Sequence, residues 1–231
     1  MIKLGKPETV TIFNQRSLST LVRAIKLSYC QFSLILVRCN YVALQKKVAE
    51  ELEVANQLPL PIGKIYLPES ITTLFTPIYL EFKSQSLSCL MVFGLESVKA
   101  IEQLLVATNQ VRDEFRKNLT LPLVIWVTDD ILQKLTRFAP DFKSWASASI
   151  KFALPPNELL ALWQQIAQDF LEQLLSAKAE FISNQELALA PGCQRRQALE
   201  FAREDLSIDE INLEPSLEAV WLLILGRDAY V

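Results

Sequence analysis

The 231-residue chain carries 23 basic and 26 acidic residues, for a formal charge of −3, and 51% of it is hydrophobic. That apolar supply excludes a largely disordered chain and suffices for one core buried on both faces of a sheet; the near-balanced charge gives no general pull toward nucleic-acid phosphates. Histidine is absent, which removes Ser-His-Asp and Cys-His nucleophile systems and every zinc site that needs imidazole.

Residues 1–13 mix Lys, Glu and Thr with apolar residues and lack the continuous apolar stretch and cleavage site of an export signal. Leu18, Leu21, Val22, Ile25 and Tyr29 then recur at three- and four-residue steps and predict an amphipathic helix. Phe32–Val37 is a short, nearly continuous apolar run, the signature of a strand covered on both faces. Val42–Val54 reads as a helix with Leu44, Val48 and Leu52 on one stripe. Lys64–Leu67 reads as a short strand, and Ser70–Leu80 as a helix or irregular turn interrupted by Pro77.

Leu87–Phe93 is a second buried strand ending at Gly94, and Val98, Ile101, Leu104, Leu105, Thr108 and Val111 trace one long helical stripe after it. Leu121–Val127 is a third, followed by Thr128-Asp129-Asp130 as capping groups for the helix that contains Ile131, Leu132 and Leu135. Ser149–Leu154 gives a fourth strand, and Pro155-Pro156-Asn157 introduces a helix from Glu158 to about Ala179. Strands alternating with helices of this length require parallel pairing through crossovers. The expected fold is therefore α/β, a mostly parallel sheet flanked by helices over residues 1–176, with a C-terminal helical appendage over 177–231. The appendage ends in an apolar helix, Leu217–Val231, whose surface needs a cover, either this chain or another.

The apolar runs fall well short of the roughly 20 residues that span a bilayer. Cys30, Cys39, Cys89 and Cys193 are widely spaced with no C-x-x-C pair, as expected of a cytoplasmic protein in a reducing compartment; Cys39 and Cys89 read as small buried hydrophobes. Trp126, Phe142, Trp145 and Phe152 read as core packing rather than a stacking platform.

A phosphate-binding loop needs glycines, because backbone amides wrap an anion only where side chains leave room. The chain has five glycines and none in the first strand-to-helix turn, Arg38-Cys39-Asn40-Tyr41-Val42-Ala43, where G-x-x-x-x-G-K-[ST] belongs. The dinucleotide-binding G-x-G-x-x-G is also missing. Asp129, Asp130 and Glu96 are the acids available for acid/base work or magnesium, and capping and solvation are the simpler reading of all three.

The strand order, Phe93-Gly94-Leu95-Glu96, the block Leu121-Pro122-Leu123-Val124-Ile125-Trp126-Val127 and the later Ala139-Pro140-Asp141-Phe142-Lys143-Ser144-Trp145 resemble the nucleotide-binding module of signal-transduction ATPases with numerous domains. The resemblance is to a divergent bacterial branch placed before tetratricopeptide repeats, covers about residues 18–165, and extends to a repeat-entrance-like stretch from Leu213 to Tyr230. It implies a P-loop NTPase-like fold in which the glycine-rich loop is degenerate and Glu96 is the acid nearest the magnesium-binding position. The expected function is a catalytically silent scaffold with a protein partner or self-association, without catalytic residues, metal, cofactor or membrane. The alternative is a regulatory domain with weak ATP or ADP affinity. For either, Asn40, Tyr41, Glu96 and Thr128 lie at the carboxyl ends of strands, where open parallel sheets hold their ligands. Asn109, Arg112 and Arg116, at i, i+3 and i+7, are expected to share one helix face toward a partner or an anion.

Overall fold

The computed structural model describes residues 10–55, 57–176 and 181–229. Helix α1 (Val10–Leu27) precedes strand β1 (Ser33–Arg38), helix α2 (Val42–Val54) and strand β2 (Ile62–Tyr66). Helix α3 (Phe75–Ser84) leads to β3 (Cys89–Phe93), a 3-10 turn at Leu95–Ser97, and helices α4 (Ile101–Gln110) and α5 (Arg112–Asn118). Strand β4 (Pro122–Val127), helices α6 (Asp129–Phe138) and α7 (Pro140–Ser144) and strand β5 (Ile150–Lys151) follow. Helices α8 (Pro156–Ser176), α9 (Gln194–Ile208) and α10 (Pro215–Arg227) complete the described chain. Among the described residues, those between 14 and 153 form one compact unit, and 10–13 with those from 154 to 229 form another.

The first unit is a five-stranded sheet in the order β2-β3-β4-β1-β5 with every pairing parallel, the expected α/β fold of a parallel sheet flanked by helices. Every residue of β3 and β4 is buried, which explains why their sequences run apolar without alternation. One face of the sheet, with Leu34, Leu36, Leu90, Val92, Leu123, Ile125 and Val127, packs with Ile78 of α3, Leu104 and Leu105 of α4, Phe115 of α5, Ile131 and Leu135 of α6 and Phe142 of α7. The connection from β1 to β2 runs across the sheet in the opposite direction, so right-handed crossover puts α2 on the other face.

On that second face aromatic rings run across the strands near their carboxyl ends. Tyr66 stacks on Phe93 at 5.0 Å, Phe93 on Trp126 at 5.5 Å, and Trp126 leans on Phe152 at 5.7 Å between ring centroids. The register produces this ladder, because Tyr66 pairs with Phe93 and β3 runs beside β4 with Val92 opposite Ile125. The core reading of Trp126, Phe142 and Phe152 therefore holds, and Trp145 packs as a half-buried neighbour against that core.

The structure departs from the sequence pattern in three places. The stripe from Val98 to Val111 is helical only over α4, which buries Ile101, Leu104, Leu105 and Thr108: Val98 ends the 3-10 turn, and Val111 (φ −99°, ψ 13°) separates α4 from α5. Asp113 and Glu114 favour a fresh start there, since acids in a first turn complement the helix dipole. The fourth expected strand shrinks to Ile150–Lys151, because beyond it the Asn14 side chain takes the Ala153 backbone at both ends (Nδ2 to O 2.8 Å, N to Oδ1 3.0 Å). Pro77 does not break its helix, since it falls in the first turn of α3, where a missing N–H costs nothing.

Among the described residues no helix is long and apolar enough to cross a membrane. The expected helix past Ser176, to about Ala179, and the last residues of the terminal helix, 230 and 231, lie outside the described residues. In the second unit Trp163 of α8 meets Trp221 of α10 edge-on at 5.7 Å, and Arg196 of α9 lies 4.6 Å over the Trp221 ring. Leu217, Val220, Trp221 and Ile224 form the buried side of α10, and Leu222, Leu223 and Leu225 are exposed.

Candidate functional site at the β1–β4 crevice

In an open parallel sheet the ligand crevice opens where neighbouring strands send their connections to opposite faces. Here the pair is β1 and β4: β1 continues through α2, and β4 continues through α6, which packs in the cluster on the other face. The last residue of β1, Arg38, and the residues just past the two strands, Cys39-Asn40-Tyr41 and Thr128-Asp129, occupy the mouth.

Three residues, 39–41, connect β1 to α2. The connection is tied down along its length: the Cys39 N–H donates to the Val127 carbonyl at 2.8 Å, and the Cys39 carbonyl accepts from Gln45 Nε2 at 2.9 Å. Tyr41 is 4% exposed, and its carbonyl accepts the Gln45 N–H at 3.0 Å. With three residues, no glycine, and buried Gln45 folded back onto the Cys39 carbonyl, the connection lacks the length and freedom of a loop that wraps a phosphate.

Across the mouth, Asn40 and Asp129 bond reciprocally. Asn40 Oδ1 accepts the Asp129 backbone N–H at 2.9 Å, and Asn40 Nδ2 donates to Asp129 Oδ2 at 3.0 Å. Arg38 makes a two-pronged ion pair with the same carboxylate, through Nε to Oδ1 and through Nη2 to Oδ2 at 2.7 Å. Burial pushes the Asp129 carboxyl up, but hydrogen bonds from Arg38 and Asn40 and the charges of Arg38 and Lys151 outweigh it and hold the group below its ordinary 3.8. The ionised latch therefore stabilises the fold at neutral pH, a contribution lost as pH falls through the lowered value. Thr128, 4% exposed, caps α6 by accepting the Ile131 N–H at 3.3 Å, so the capping role read from Thr128-Asp129-Asp130 belongs to Thr128.

Glu96 stands apart, in the 3-10 turn after β3. Gly94 sets up that turn with φ +90°, and a Cβ there would meet the Leu67 carbonyl at 3.2 Å. Glu96 Oε2 is buried without a hydrogen-bond partner, and burial pushes the carboxyl above its ordinary 4.5, although its own backbone N–H draws it back in part. A raised carboxyl holds its proton more tightly when folded, so this group costs stability as pH rises through the interval between its ordinary and folded values. Glu96→Gln is expected to stabilise the protein at pH 7 by about 1 kcal/mol, because the amide cannot ionise and so brings no charge into that buried position. Urea denaturation of both proteins at pH 7 and pH 4 checks this; the difference should vanish at the lower pH.

Asn109 and Arg112 form a separate cluster. Asn109 Oδ1 accepts the Phe142 N–H at 2.9 Å, its Nδ2 reaches Asp141 at 3.3 Å, and Arg112 donates to the Asn109 carbonyl at 2.8 Å and pairs with Asp141 at 3.7 Å. Because α4 and α5 are separate helices, Asn109, Arg112 and Arg116 do not share one helix face; the first two tie α7 to the α4–α5 junction, and Arg116 is exposed on α5. Asp130 pairs with Lys134 at 2.7 Å along α6. Among the described residues, no group of three or more Cys, Asp or Glu side chains is placed to hold a metal ion.

Arg38 and Gln45 are the site residues that the sequence pattern missed, and Asp129 acts as a hub rather than a helix-start acid. One signal was available: an arginine ending one buried strand and an aspartate two residues past the end of another are opposite charges at neighbouring carboxyl ends once those strands pair.

No family model matches the chain. No curated protein matches it either. Among solved structures, the chain is similar to the ORC2 protein of Aeropyrum pernix in its ADPNP-ADP complexes, with 12% identity over 100% of this chain and 71% of that one and a TM-score of 0.44. Against the ADP form of the same protein the values are 13%, 96%, 70% and 0.43.

Proposed function

We propose that this chain is a catalytically silent NTPase-like scaffold that works as a protein–protein interaction or assembly module. The observation that supports the reading is the latch across the β1–β4 crevice: Arg38 and Asn40 are both engaged by Asp129, and the connection behind them has three residues. Turnover of a nucleoside triphosphate rests on a phosphate cradle, a cationic clamp and a bound magnesium. At this mouth the cradle is replaced by a tied-down turn, and the cationic side chain is spent on an internal carboxylate. The resemblance to bacterial modules that precede tetratricopeptide repeats agrees with a role in assembly. So do the exposed Leu222, Leu223 and Leu225 of α10, an apolar surface of the kind that partners cover.

The test is thermal unfolding with millimolar ATP or ADP and magnesium, alongside phosphate release. A ligand at 100 times its dissociation constant adds about 2.7 kcal/mol, which a melting curve detects easily. No shift and no release are expected. A shift without release would replace this reading with that of a regulatory nucleotide-binding domain, and release abolished by Asn40→Ala would overturn it outright.

A further inference from the structure

The Asp129 carboxylate is held as a bound anion would be. It accepts two guanidinium donors from Arg38 and one amide donor from Asn40, and the Lys151 ammonium adds its charge. Two chain segments supply these groups: Arg38 ends β1 with Asn40 two residues on in the turn beyond it, and Lys151 ends β5 beside β1, opposite Arg38 in the register. The side chains of Arg38 and Asp129 are 36% and 28% exposed, so small ions reach the mouth from solvent. Asn40 is also oriented independently of the carboxylate, because its Oδ1 is fixed by the backbone N–H of residue 129, which any substitution but proline retains.

We propose that Arg38 and Asn40 constitute a latent site for a small oxyanion, a carboxylate or a phosphate, which Asp129 occupies as a tethered internal ligand. A planar guanidinium fork with a neighbouring amide donor suits either anion in two-pronged fashion. The tether gives Asp129 a high effective concentration, so free anions do not displace it. An event that draws the start of α6 away from β1 exposes the site, and removal of the carboxylate does the same permanently. This inference rests on the closed-crevice reading above and adds that the crevice retains anion-binding groups behind its latch.

The experiment is chemical rescue. Asp129→Ala, the wild type and the double variant Arg38→Ala/Asp129→Ala are melted in sodium chloride, sodium acetate and sodium phosphate at matched ionic strength and pH 7. The single variant should melt about 3 °C higher in tens of millimolar acetate or phosphate than in chloride, the shift that occupancy of one weak site gives in a chain of this size. The wild type and the double variant should show no such difference. A response to acetate alone identifies a carboxylate-shaped site, and a response to phosphate identifies one that accepts the larger anion. If D129A does not fold in chloride, refolding yield in the three salts gives the same reading. An unresponsive single variant, in melting and refolding alike, overturns the proposal, as does an equal response from the double variant. A wild type that responds as strongly as the single variant overturns the latch itself and the closed-crevice reading with it, which separates that failure from this one.

Discussion

Trp126→Ala is expected to cost about 4 kcal/mol of stability, whereas Trp126→Phe should cost about 1 kcal/mol or less. Trp126 is fully buried in the central strand β4 and is flanked in the ladder by Phe93 and Phe152. Alanine removes the largest side chain on that strand and leaves a cavity among rings that belong to different strands, which a regular sheet cannot collapse to fill. Phenylalanine keeps the ring contacts and removes the indole N–H, which is buried without an acceptor, so part of the lost packing is offset by relief of an unsatisfied donor. Urea denaturation followed by far-ultraviolet circular dichroism measures both. If the two substitutions cost the same, the ladder is not where the stability of β4 resides.

The second large effect lies in the other unit. Arg196→Ala is expected to destabilise the α8–α10 unit by about 3 kcal/mol, in the range found when one partner of a buried ion pair is removed. Its guanidinium is 4% exposed and pairs with Glu200 at 2.8 Å and with Asp228 at 3.1 Å while lying over the Trp221 ring. Asp228, 21% exposed, would lose that charge and keep the Asn184 amide at 2.6 Å. Arg196→Lys keeps a charge but not the planar fork, and should recover less than half of the loss. Tryptophan fluorescence through a urea titration reports the change, because Trp163 and Trp221 meet beside Arg196. A cost below about 1 kcal/mol, the level of a surface pair, would show that water replaces this arginine without difficulty.

Continuous apolar runs and helical stripes locate the parallel strands and their helices in the sequence, because a strand buried on both faces tolerates little else. Boundaries were less legible where a long-range contact decided them. Asn14, 139 residues away in the chain, takes the backbone of Ala153 that would otherwise continue β5. The stripe read over 98–111 is helical only in α4, because the chain turns at Val111, which is exposed, before α5 brings Phe115 to the same core cluster. At the candidate site, Asn40, Tyr41 and Thr128 were legible as strand-end positions, whereas Arg38 and Gln45 were not.

Residue type and local spacing were enough to establish the class of fold, the want of glycine at the first strand-to-helix turn and the absence of imidazole chemistry. The latch across the crevice is different in kind, because it exists only once distant strands have paired. Arg38 and Asp129 are 91 residues apart, and their attraction arises because β1 pairs with β4 in a register that sets Arg38 opposite Val127. Charge pairing at a strand end is a property of which strands become neighbours, and strand order is fixed by crossover handedness and burial over the whole chain, not by any segment of it.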